Sequence, residues 1–416
     1  MVIVGASLAG VTAASTLRHD GWDGELIIVE AASELPADRP PLSKQVLAGT
    51  MTAQAALDPI ASRLEGLDVD VRLDHRVAGA GFAEDDLRLK LFNDHEITAD
   101  GVILATGSAP RWPAGFLVEA ADSTVNEPKL TTPMTGVHVL RTLADSLALK
   151  ADLDAGPSRL VVIGAGFIGA EVATTARAAG IDVTIIEFAP LPLARVLGGL
   201  VGEFVAELHR SEGVDLRLGV GLVDIAAGAD GRVAAITLTD GTTLPTDLLV
   251  LGLGAAPELE WLVGSGVTVD NGVVCDETLW AGPGVVAAGD VASWINPIFG
   301  ERMRVEHWEN AIEQGEAAAR RLLAARNDTE PVPFASVPWF WSDQYDCKLQ
   351  LAGRPAASDE IVLIDGDPAD RKFAVAFRRG DRCTGVFAVN RPRIVVMARM
   401  AMADSLAWDH VVRPKG

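Results

Sequence analysis

The sequence contains few cysteines, and their positions limit the redox chemistry that the protein can perform by itself. The three cysteines, Cys275, Cys347 and Cys383, lie far apart and form no CxxC or CxxxxC pair. This distribution predicts no redox disulfide, no zinc site and no iron–sulfur cluster held by the protein. Any redox chemistry is therefore expected to come from a bound cofactor.

The sequence also lacks long apolar runs and an excess of basic residues. No apolar stretch approaches the ~18 residues that a membrane-spanning helix needs. The first apolar strand begins at Val2, which leaves no room for a signal peptide, so we expect a cytoplasmic protein. With 35 lysines and arginines against 57 aspartates and glutamates, the net charge is −22. This charge disfavours nucleic acids and anionic membranes as partners.

The first ten residues, MVIVGASLAG, are typical of a short apolar strand that turns into a helix. The turn contains Gly5, Ser7 and Gly10, and the next strand ends at Glu30, 25 residues after Gly5. At about this spacing an acidic side chain reaches a ribose hydroxyl group in a dinucleotide-binding βαβ unit. Ser7 replaces the usual middle glycine but is small enough for the backbone to approach a pyrophosphate at the helix N-terminus.

The segment LVVIGAGFIGAEVA, which begins at residue 160, repeats this order with the complete set Gly164, Gly166 and Gly169. The strand DVTIIE then ends at Glu187, 23 residues after Gly164. A carboxylate at this place can accept both ribose hydroxyl groups but repels a 2′-phosphate, and no arginine follows before Arg195. The second site is therefore predicted to prefer NADH to NADPH.

The similarity between the two halves extends beyond the glycine turns. ADGVILATGSAP (99–110) resembles TDLLVLGLGAAP (246–257), so two copies of one nucleotide-binding fold are predicted. A buried strand and an amphipathic helix follow, and after a linker at residue 327 the alternating segments FAVAF and GVFAV predict a small antiparallel domain.

We therefore predict an α/β protein with two Rossmann-like dinucleotide-binding domains and a small C-terminal α+β domain, a size that suits 416 residues. The predicted boundaries are 1–110 and 256–326 for the two parts of the first nucleotide-binding domain, 111–255 for the second, and 327–416 for the C-terminal domain.

Several short strings, in order along nearly the whole chain, resemble one family. Besides the two glycine turns they are RPPLSK (39–44), LATG (104–107), LRT (140–142), GD (289–290), EHW (306–308) and PWFWSDQY (338–345). As an ordered set they resemble the FAD-dependent NADH:ferredoxin reductases of bacterial oxygenase and cytochrome P450 systems, which have a glutathione-reductase-type fold. The resemblance implies FAD in the first site, NADH in the second and a [2Fe–2S] ferredoxin as electron acceptor.

A flavin would explain why one chain carries two nucleotide sites. A nicotinamide gives two electrons as one hydride, whereas an iron–sulfur cluster accepts one electron at a time. A flavin can do both, and the protein then contributes orientation and electrostatics.

The resemblance also assigns residues to the two cofactors. For FAD these residues are Gly5, Ser7, Leu8, Ala9, Gly10, Glu30, Arg39, Lys44, Val77, Ala105, Thr106, Gly107, Arg141, Asp290, His307, Trp308 and Trp341. For NADH they are Gly164, Gly166, Phe167, Ile168, Gly169, Glu171, Glu187, Arg195 and Gly252.

Some of these assignments imply a specific contact. Arg39 and Arg141 would contact the FAD phosphates or the adenine end, and Asp290 would hydrogen-bond the ribityl chain. Val77 would offer its backbone to the adenine, and Trp308 would open a helix that faces the flavin. Ordinary structural roles remain the alternatives: surface ion pairs for the arginines, a helix N-cap for Asp290 and a core position for Val77.

Lys44 and Glu171 are the predicted catalytic residues. Lys44 occupies the place where related disulfide reductases keep a redox cysteine pair, and the resemblance sets it beside the reactive edge of the flavin, paired with Glu171. A cation there would stabilise negative charge on the reduced flavin. The alternatives are a solvated surface lysine and an exposed helix residue. His307 receives no catalytic role.

A basic segment in the acidic chain is the predicted docking surface for the ferredoxin. Residues 371–399 contain eight basic residues and one acid, Asp381, which gives about +7. Arg378 and Arg379 are its centre, and Trp341 would lie by the flavin on the same side. The alternatives are a solvated strand face for the arginines and core packing for Trp341. The basic residues are Arg371, Lys372, Arg378, Arg379, Arg382, Arg391, Arg393 and Arg399.

Two other functions remain as alternatives. An NADH oxidase, peroxidase or disulfide reductase would share both glycine turns, but it needs a redox cysteine near Ser43 and Lys44. A redox-signalling flavoprotein of the apoptosis-inducing-factor type would bind FAD and NADH and act through interactions. Such proteins usually carry targeting segments or basic nucleic-acid surfaces, and this sequence predicts neither.

Overall fold

The computed structural model describes residues 1–84, 86–113, 117–119 and 131–412. The first part of the chain forms a parallel sheet in which β1 lies between β2 and β7, and β3 pairs with β2. The strands β4, β5 and β6 form a separate antiparallel sheet. The elements are β1 (Val2–Val4), α1 (Leu8–His19), β2 (Ile27–Val29), α2 (Ala53–Leu64), β3 (Asp70–Arg72), β4 (Val77–Ala83), β5 (Asp86–Leu91), β6 (Glu96–Ala99), β7 (Val102–Leu104) and β8 (Ala109–Pro110).

The second part of the chain repeats this arrangement. β12 lies between β13 and β18 in a parallel sheet of five strands, and β15, β16 and β17 form the separate antiparallel sheet. The elements are β9 (Leu117–Glu119), β10 (Thr131–Pro133), β11 (Val137–His138), α3 (Leu143–Asp154), β12 (Arg159–Ile163), α4 (Phe167–Ala178), β13 (Asp182–Glu187), α5 (Ala194–Ser211), β14 (Asp215–Leu218), β15 (Leu222–Ala227), β16 (Val233–Leu238), β17 (Thr243–Pro245), β18 (Leu248–Leu251) and β19 (Ala255–Ala256). The two Rossmann-like units expected from the sequence are thus present.

The chain then returns to the first sheet, where β22 pairs in parallel with β7. The return elements are β20 (Val273–Val274), β21 (Trp280–Gly282), β22 (Val285–Ala287), β23 (Ala292–Asn296), β24 (Glu301–Met303) and α6 (Trp308–Arg326). The two crossings between the units lie side by side, because β8 pairs antiparallel with β19. The domain boundaries at 110, 255 and 326 stay a prediction that fits this pairing.

The last part of the chain is an antiparallel sheet of five strands in the order β25-β26-β29-β28-β27, followed by two helices. Residues 373–377 of β28, FAVAF in the sequence, are all buried. Both faces of this strand are therefore covered, and neither is exposed to solvent. The arginines of this hairpin consequently lie at strand ends. The elements are β25 (Trp339–Gln344), β26 (Cys347–Gly353), β27 (Glu360–Asp367), β28 (Lys372–Arg379), β29 (Arg382–Val389), α7 (Pro392–Asp404) and α8 (Trp408–Val411).

The helices α1 and α6 cross at close range, which places the start of α6 beside the first glycine turn. A Cβ on Gly315 of α6 would come within 2.5 Å of the carbonyl oxygen of Ala9 in α1. Only glycine therefore permits this approach. Among the described residues, no helix combines the length and the apolar character that crossing a membrane requires.

His209 gives the fold a dependence on pH. It is fully buried in α5, where Nδ1 lies 2.8 Å from the Tyr345 hydroxyl oxygen, and burial lowers its pKa to about 4. Below pH ~6.5 the unfolded chain binds a proton that the folded chain excludes, so stability falls as the pH drops towards 4.

We expect His209→Gln to lessen the fall of the apparent melting temperature between pH 6.5 and 4, because it removes one of the buried groups that titrate there. His307, whose pKa burial also lowers to about 4, remains and keeps part of the slope. The exposed His95 offers a matched control, since His95→Gln should leave the slope as in the parent protein. Melting curves at a series of pH values provide the measurement. An unchanged slope in His209→Gln would show that other groups cause the pH dependence.

Candidate functional site

The first glycine turn is packed so tightly that side chains are excluded from two of its positions. Gly5 has a φ of +106°, and a Cβ there would collide with the carbonyl oxygen of Ala105. A Cβ on Gly10 would collide with the carbonyl oxygen of Gly5. Ser7 is the N-cap of α1 but makes no capping bond with its side chain. Leu8 and Ala9 form the first turn of α1, so this turn presents helix N-terminal amides at the carboxyl end of β1.

The second glycine turn has the same construction. Gly164 has a φ of +98°, and a Cβ there would collide with the carbonyl oxygen of Gly252. Gly169 faces the carbonyl oxygen of Gly164 in the same way. Gly166, in contrast, has nothing within 4 Å of its Cβ position, and it is the N-cap of α4. Phe167 and the half-exposed Ile168 form the first turn of this helix.

The acid at the end of the second strand reaches the glycine turn in both units. Glu30 accepts hydrogen bonds from the backbone N–H groups of Ala6 at 2.8 Å and Ala32 at 3.0 Å. Glu187 accepts them from Ala165 at 2.9 Å and Ala189 at 2.8 Å. The two carboxylates thus lie beside the two nucleotide turns, where a ribose would be held.

A buried carboxylate and two arginines lie together at the carboxyl end of the first sheet. Asp290 accepts a hydrogen bond from Arg141 at 2.6 Å and from Ser108 at 3.1 Å, and Arg39 lies 3.5 Å away. Burial favours the neutral acid, but Arg141 and Arg39 outweigh it and hold the pKa of Asp290 below its usual value. Gly107, with a φ of +73°, lies against both guanidinium groups.

The composition of this cluster fits an anionic dinucleotide such as FAD. Two guanidinium groups share one carboxylate at the sheet end, where they can face an anionic phosphate. Several buried side-chain donors also have no hydrogen-bond partner within the described residues, and a buried donor without a partner is costly. These donors are Thr106 Oγ1, Arg141 Nε and Gln314 Nε2. A bound FAD would use such donors, so the residues present fit this cofactor.

Glu171 joins three separate parts of the chain. Its Oε2 accepts hydrogen bonds from Ser43 Oγ at 2.5 Å and Lys44 Nζ at 2.9 Å. Its Oε1 accepts them from Ser342 Oγ at 2.8 Å and the backbone N–H of Asp343 at 3.2 Å. Both members of the Lys44–Glu171 pair are largely buried, so neither is the solvated surface residue that the sequence left as an alternative.

Aromatic side chains gather around the N-terminus of α6. The Trp308 indole donates to Asp38 Oδ1 at 2.7 Å, and its ring centroid lies 6.3 Å from that of Trp341. Phe340 packs against Phe167 of α4 at 4.5 Å and against His307, the N-cap of α6, at 4.9 Å. The start of α4, the start of α6 and strand β25 therefore meet at this place.

Two predicted site residues lie at the margins of the site. Val77 begins β4 and belongs to the core, two residues after His75, whose N–H donates to the carbonyl oxygen of Glu30. Val77 therefore lies close to Glu30, the acid that bonds to the first glycine turn. Arg195 is exposed in the first turn of α5 and makes no hydrogen bond with the second glycine turn in the described residues. Their cofactor roles, like those of the other site residues, stay predictions.

Comparison with known proteins places these features in one family. Residues 1–315 match the family described as pyridine nucleotide-disulphide oxidoreductase, and residues 339–412 match the one described as reductase C-terminal. The chain belongs to the pyridine nucleotide-disulphide oxidoreductase family. It is therefore an oxidoreductase that contains FAD and uses NAD(H), with the fold predicted from its sequence.

Relatives of known function match almost the entire chain. Rhodocoxin reductase of Rhodococcus erythropolis is 35% identical over 413 residues, covering 98% of this chain and 90% of the relative. The ferredoxin–NAD(+) reductase component of the anthranilate 1,2-dioxygenase system of Burkholderia cepacia is 36% identical, covering 98% and 95%. The crystal structure of the covalent putidaredoxin reductase–putidaredoxin complex superposes with a TM-score of 0.85 at 34% identity, covering 97% of this chain and 92% of that one.

This member of the family has no redox disulfide. All three cysteines are free and buried. Burial raises the pKa of Cys275 and Cys347 to about 12 and that of Cys383 to about 11, so the reactive thiolate form is suppressed. The Lys44–Glu171 ion pair predicted from the family resemblance is present, and its role at the flavin stays a prediction.

Several residues of the site escaped the sequence analysis. Ser43 and Ser342 complete the Glu171 contacts, Ser108 binds Asp290, and Gln314 Oε1 accepts from the Gly289 N–H at 2.8 Å. Serine and glutamine are common surface residues, so their type carries no signal. The sequence offered one signal for two of them: Ser43 and Ser342 fall inside the strings PLSK and FWSDQY, which carry the family resemblance.

The basic segment 371–399 is less positive in the structure than in the sequence. Four of its arginines pair with carboxylates that lie outside the segment, which the sequence count could not include. Arg378 has no carboxylate partner in the described part of the chain and lies 5.1 Å from the Trp408 ring centroid. The pairs are Arg371 with Glu212 and Asp346, Arg379 with Glu301 and Asp359, Arg391 with Asp365, and Arg399 with Glu309 and Glu313.

Proposed function

We propose that the protein passes electrons from NADH through FAD to a [2Fe–2S] ferredoxin that supplies an oxygenase. The observation that carries the proposal is the Lys44–Glu171 pair, which joins the two nucleotide units where a disulfide reductase would need sulfur. The relatives named as ferredoxin reductases of oxygenase systems support the acceptor. Three protonated, buried cysteines speak against a disulfide substrate.

The reaction balances with two ferredoxin molecules for each NADH. NADH gives one hydride, two ferredoxins each take one electron, and NAD⁺ and one proton are released. FAD supplies the conversion from two-electron to one-electron transfer. The chain's own residues would orient the ligands. Glu187 would accept the NADH ribose hydroxyl groups, Arg39 and Arg141 would contact the FAD phosphates or the adenine end, and Lys44 would place a positive charge beside the reactive edge of the flavin.

The proposal can be tested with the purified holoenzyme. NADH mixed with the protein and an excess of [2Fe–2S] ferredoxin should bleach the cluster absorbance, with two ferredoxins reduced for each NADH consumed. Free flavin in place of the protein is the control. Flavin reduction without any transfer to a panel of ferredoxins would favour the signalling alternative, and rapid oxygen consumption instead would favour an NADH oxidase.

The nucleotide preference is predicted to depend on the charge of Glu187. Glu187→Gln keeps the side-chain size and one of the two oxygens that accept from the Ala165 and Ala189 N–H groups, and it removes the charge that repels a 2′-phosphate. We expect the ratio of kcat/KM for NADH over NADPH to narrow by about tenfold, as one lost charge repulsion of ~1.4 kcal/mol would produce. The measurement is flavin reduction with either nucleotide.

Glu30→Gln is the matched control, because Glu30 holds the same place in the first unit. It should leave the nucleotide preference unchanged, whatever it does to FAD affinity. Equal kcat/KM values for NADH and NADPH in the parent protein would contradict the proposed donor.

The ferredoxin is proposed to dock on a basic surface that includes Arg378 and Arg379. Ferredoxins of this class are typically acidic, so a local positive charge would steer the encounter despite the overall negative charge. Arg379 is a poor probe, because its removal would leave the buried carboxylate of Asp359 without its partner. Among the described residues, Arg378 contacts the Gly380 carbonyl oxygen and the Trp408 ring and pairs with no carboxylate, which makes it the cleaner position.

Arg378→Glu is expected to raise the KM for ferredoxin severalfold and to weaken its salt dependence, while reduction of a small artificial acceptor stays unchanged. Arg88→Glu, on the distant β5 strand, is the matched control. If Arg378→Glu reduces ferredoxin as the parent protein does, the docking surface lies elsewhere.

The use of NADH and the free thiols also lead us to propose a cytoplasmic location.

A further inference from the structure

The C-terminal domain reaches Glu171, at the junction between the two nucleotide units, with one side-chain hydroxyl group and one backbone N–H. Ser342 lies in β25, its side chain is fully buried, and its Oγ donates to Glu171 Oε1 at 2.8 Å. The other oxygen of Glu171 faces the first unit, where Lys44 and Ser43 donate to it. The two carboxylate oxygens are therefore held by different parts of the chain.

The alternation of β25 explains why Ser342 faces this way. Side chains along a strand point to opposite faces in turn, so Phe340 and Ser342 share one face and Trp341 points to the other. Phe340 packs on Phe167 at the start of α4, the helix that carries Glu171. Trp341 packs with Trp308 at the start of α6. One strand thus holds Glu171 on one face and an aromatic pair on the other.

We propose that Ser342 is a positioning residue, which acts through Glu171 to hold Lys44 in the orientation that hydride transfer from NADH requires. Hydrogen bonds to both oxygens prevent the Glu171 carboxylate from rotating, so Oε2 holds the Lys44 ammonium group in one position. Without the hydroxyl group, Oε1 keeps only the longer bond from the Asp343 N–H. The C-terminal domain would then contribute to the rate at the nicotinamide side, an effect that rests on the proposed function.

Ser342→Ala in the holoenzyme tests this idea by stopped-flow flavin reduction at saturating NADH. We expect the reduction rate to fall about tenfold, the effect of one hydrogen bond to a charged group, with FAD content and the KM for NADH unchanged. Ser342→Thr keeps the hydroxyl group and should restore most of the rate. Ser265→Ala removes another buried serine hydroxyl outside the junction and should have no effect.

A double-mutant cycle with Lys44→Ala decides whether the serine acts through the pair. If it does, Ser342→Ala should slow the reduction in the parent protein but add little in the Lys44→Ala background. Equal slowing in both backgrounds would overturn the proposal, and so would a lowered melting temperature that Ser342→Thr does not restore. A parent protein that NADH cannot reduce at all would instead contradict the proposed function, so the two failures are distinguishable.

Discussion

Gly164→Ala is expected to abolish the reduction of the flavin by NADH while bound FAD is retained. Gly164 has a φ of +98°, and an added Cβ would collide with the carbonyl oxygen of Gly252 on the neighbouring strand. The positive φ alone costs about 1–3 kcal/mol for a residue with a side chain, and the collision with backbone adds to it. The second unit should therefore melt earlier, whereas the first keeps its own glycine turn.

Gly166→Ala is the matched control within the same turn. Nothing lies within 4 Å of the Cβ position of Gly166, so the melting temperature should not change. The added methyl group would occupy the space where the backbone approaches the NADH pyrophosphate, and the KM for NADH should rise. Gly164 is thus expected to be required for stability, and Gly166 for the binding of NADH. A Gly164→Ala variant that melts and is reduced as the parent protein would contradict this account.

Lys44→Ala is expected to slow flavin reduction by about 100-fold, a typical loss when one positioned charge is removed from a reacting centre. The ammonium group is largely buried and held 2.9 Å from Glu171 Oε2, so water cannot easily replace it. FAD content should remain nearly intact, because the proposed role of Lys44 is local and electrostatic and the other residues predicted to hold FAD are unchanged. Stopped-flow absorbance at saturating NADH is the measurement.

Lys90→Ala removes an exposed lysine that pairs with Asp94 and serves as the control. It should leave the reduction rate unchanged. An unchanged rate in Lys44→Ala would remove this residue from the reacting centre, and a loss of FAD would mean that the substitution disturbs the binding site as a whole.

The glycine turns and the strand-end acids were predictable from the sequence because their spacing follows from backbone geometry. Gly5 and Gly164 must be glycine for the same reason, and Glu30 and Glu187 both lie at the carboxyl end of the strand that follows the glycine-turn helix. The Lys44–Glu171 pair was predictable only through the family resemblance. No local pattern connects residues that are 127 positions apart.

The contacts that escaped prediction arise where different parts of the chain meet. Ser342 reaches Glu171 across 171 positions, and its hydroxyl group has no distinguishing pattern in sequence. The carboxylates that pair with the basic segment could not be predicted for the same reason. Glu301 in β24 and Asp359, just before β27, both pair with Arg379, and a count along the sequence cannot include partners brought in by folding.

Because β8 pairs antiparallel with β19, the second nucleotide unit is an insertion whose two ends lie side by side. Ala109–Pro110 and Ala255–Ala256 are hydrogen-bonded neighbours, so the inserted unit leaves and rejoins the host at one place. A homologous second unit with the same two ends could therefore replace it, and the first unit would not have to bridge a different distance. Electron-donor preference could thus be transplanted between enzymes of this family as a single block, provided that the carboxylate of Glu171 is transplanted with it.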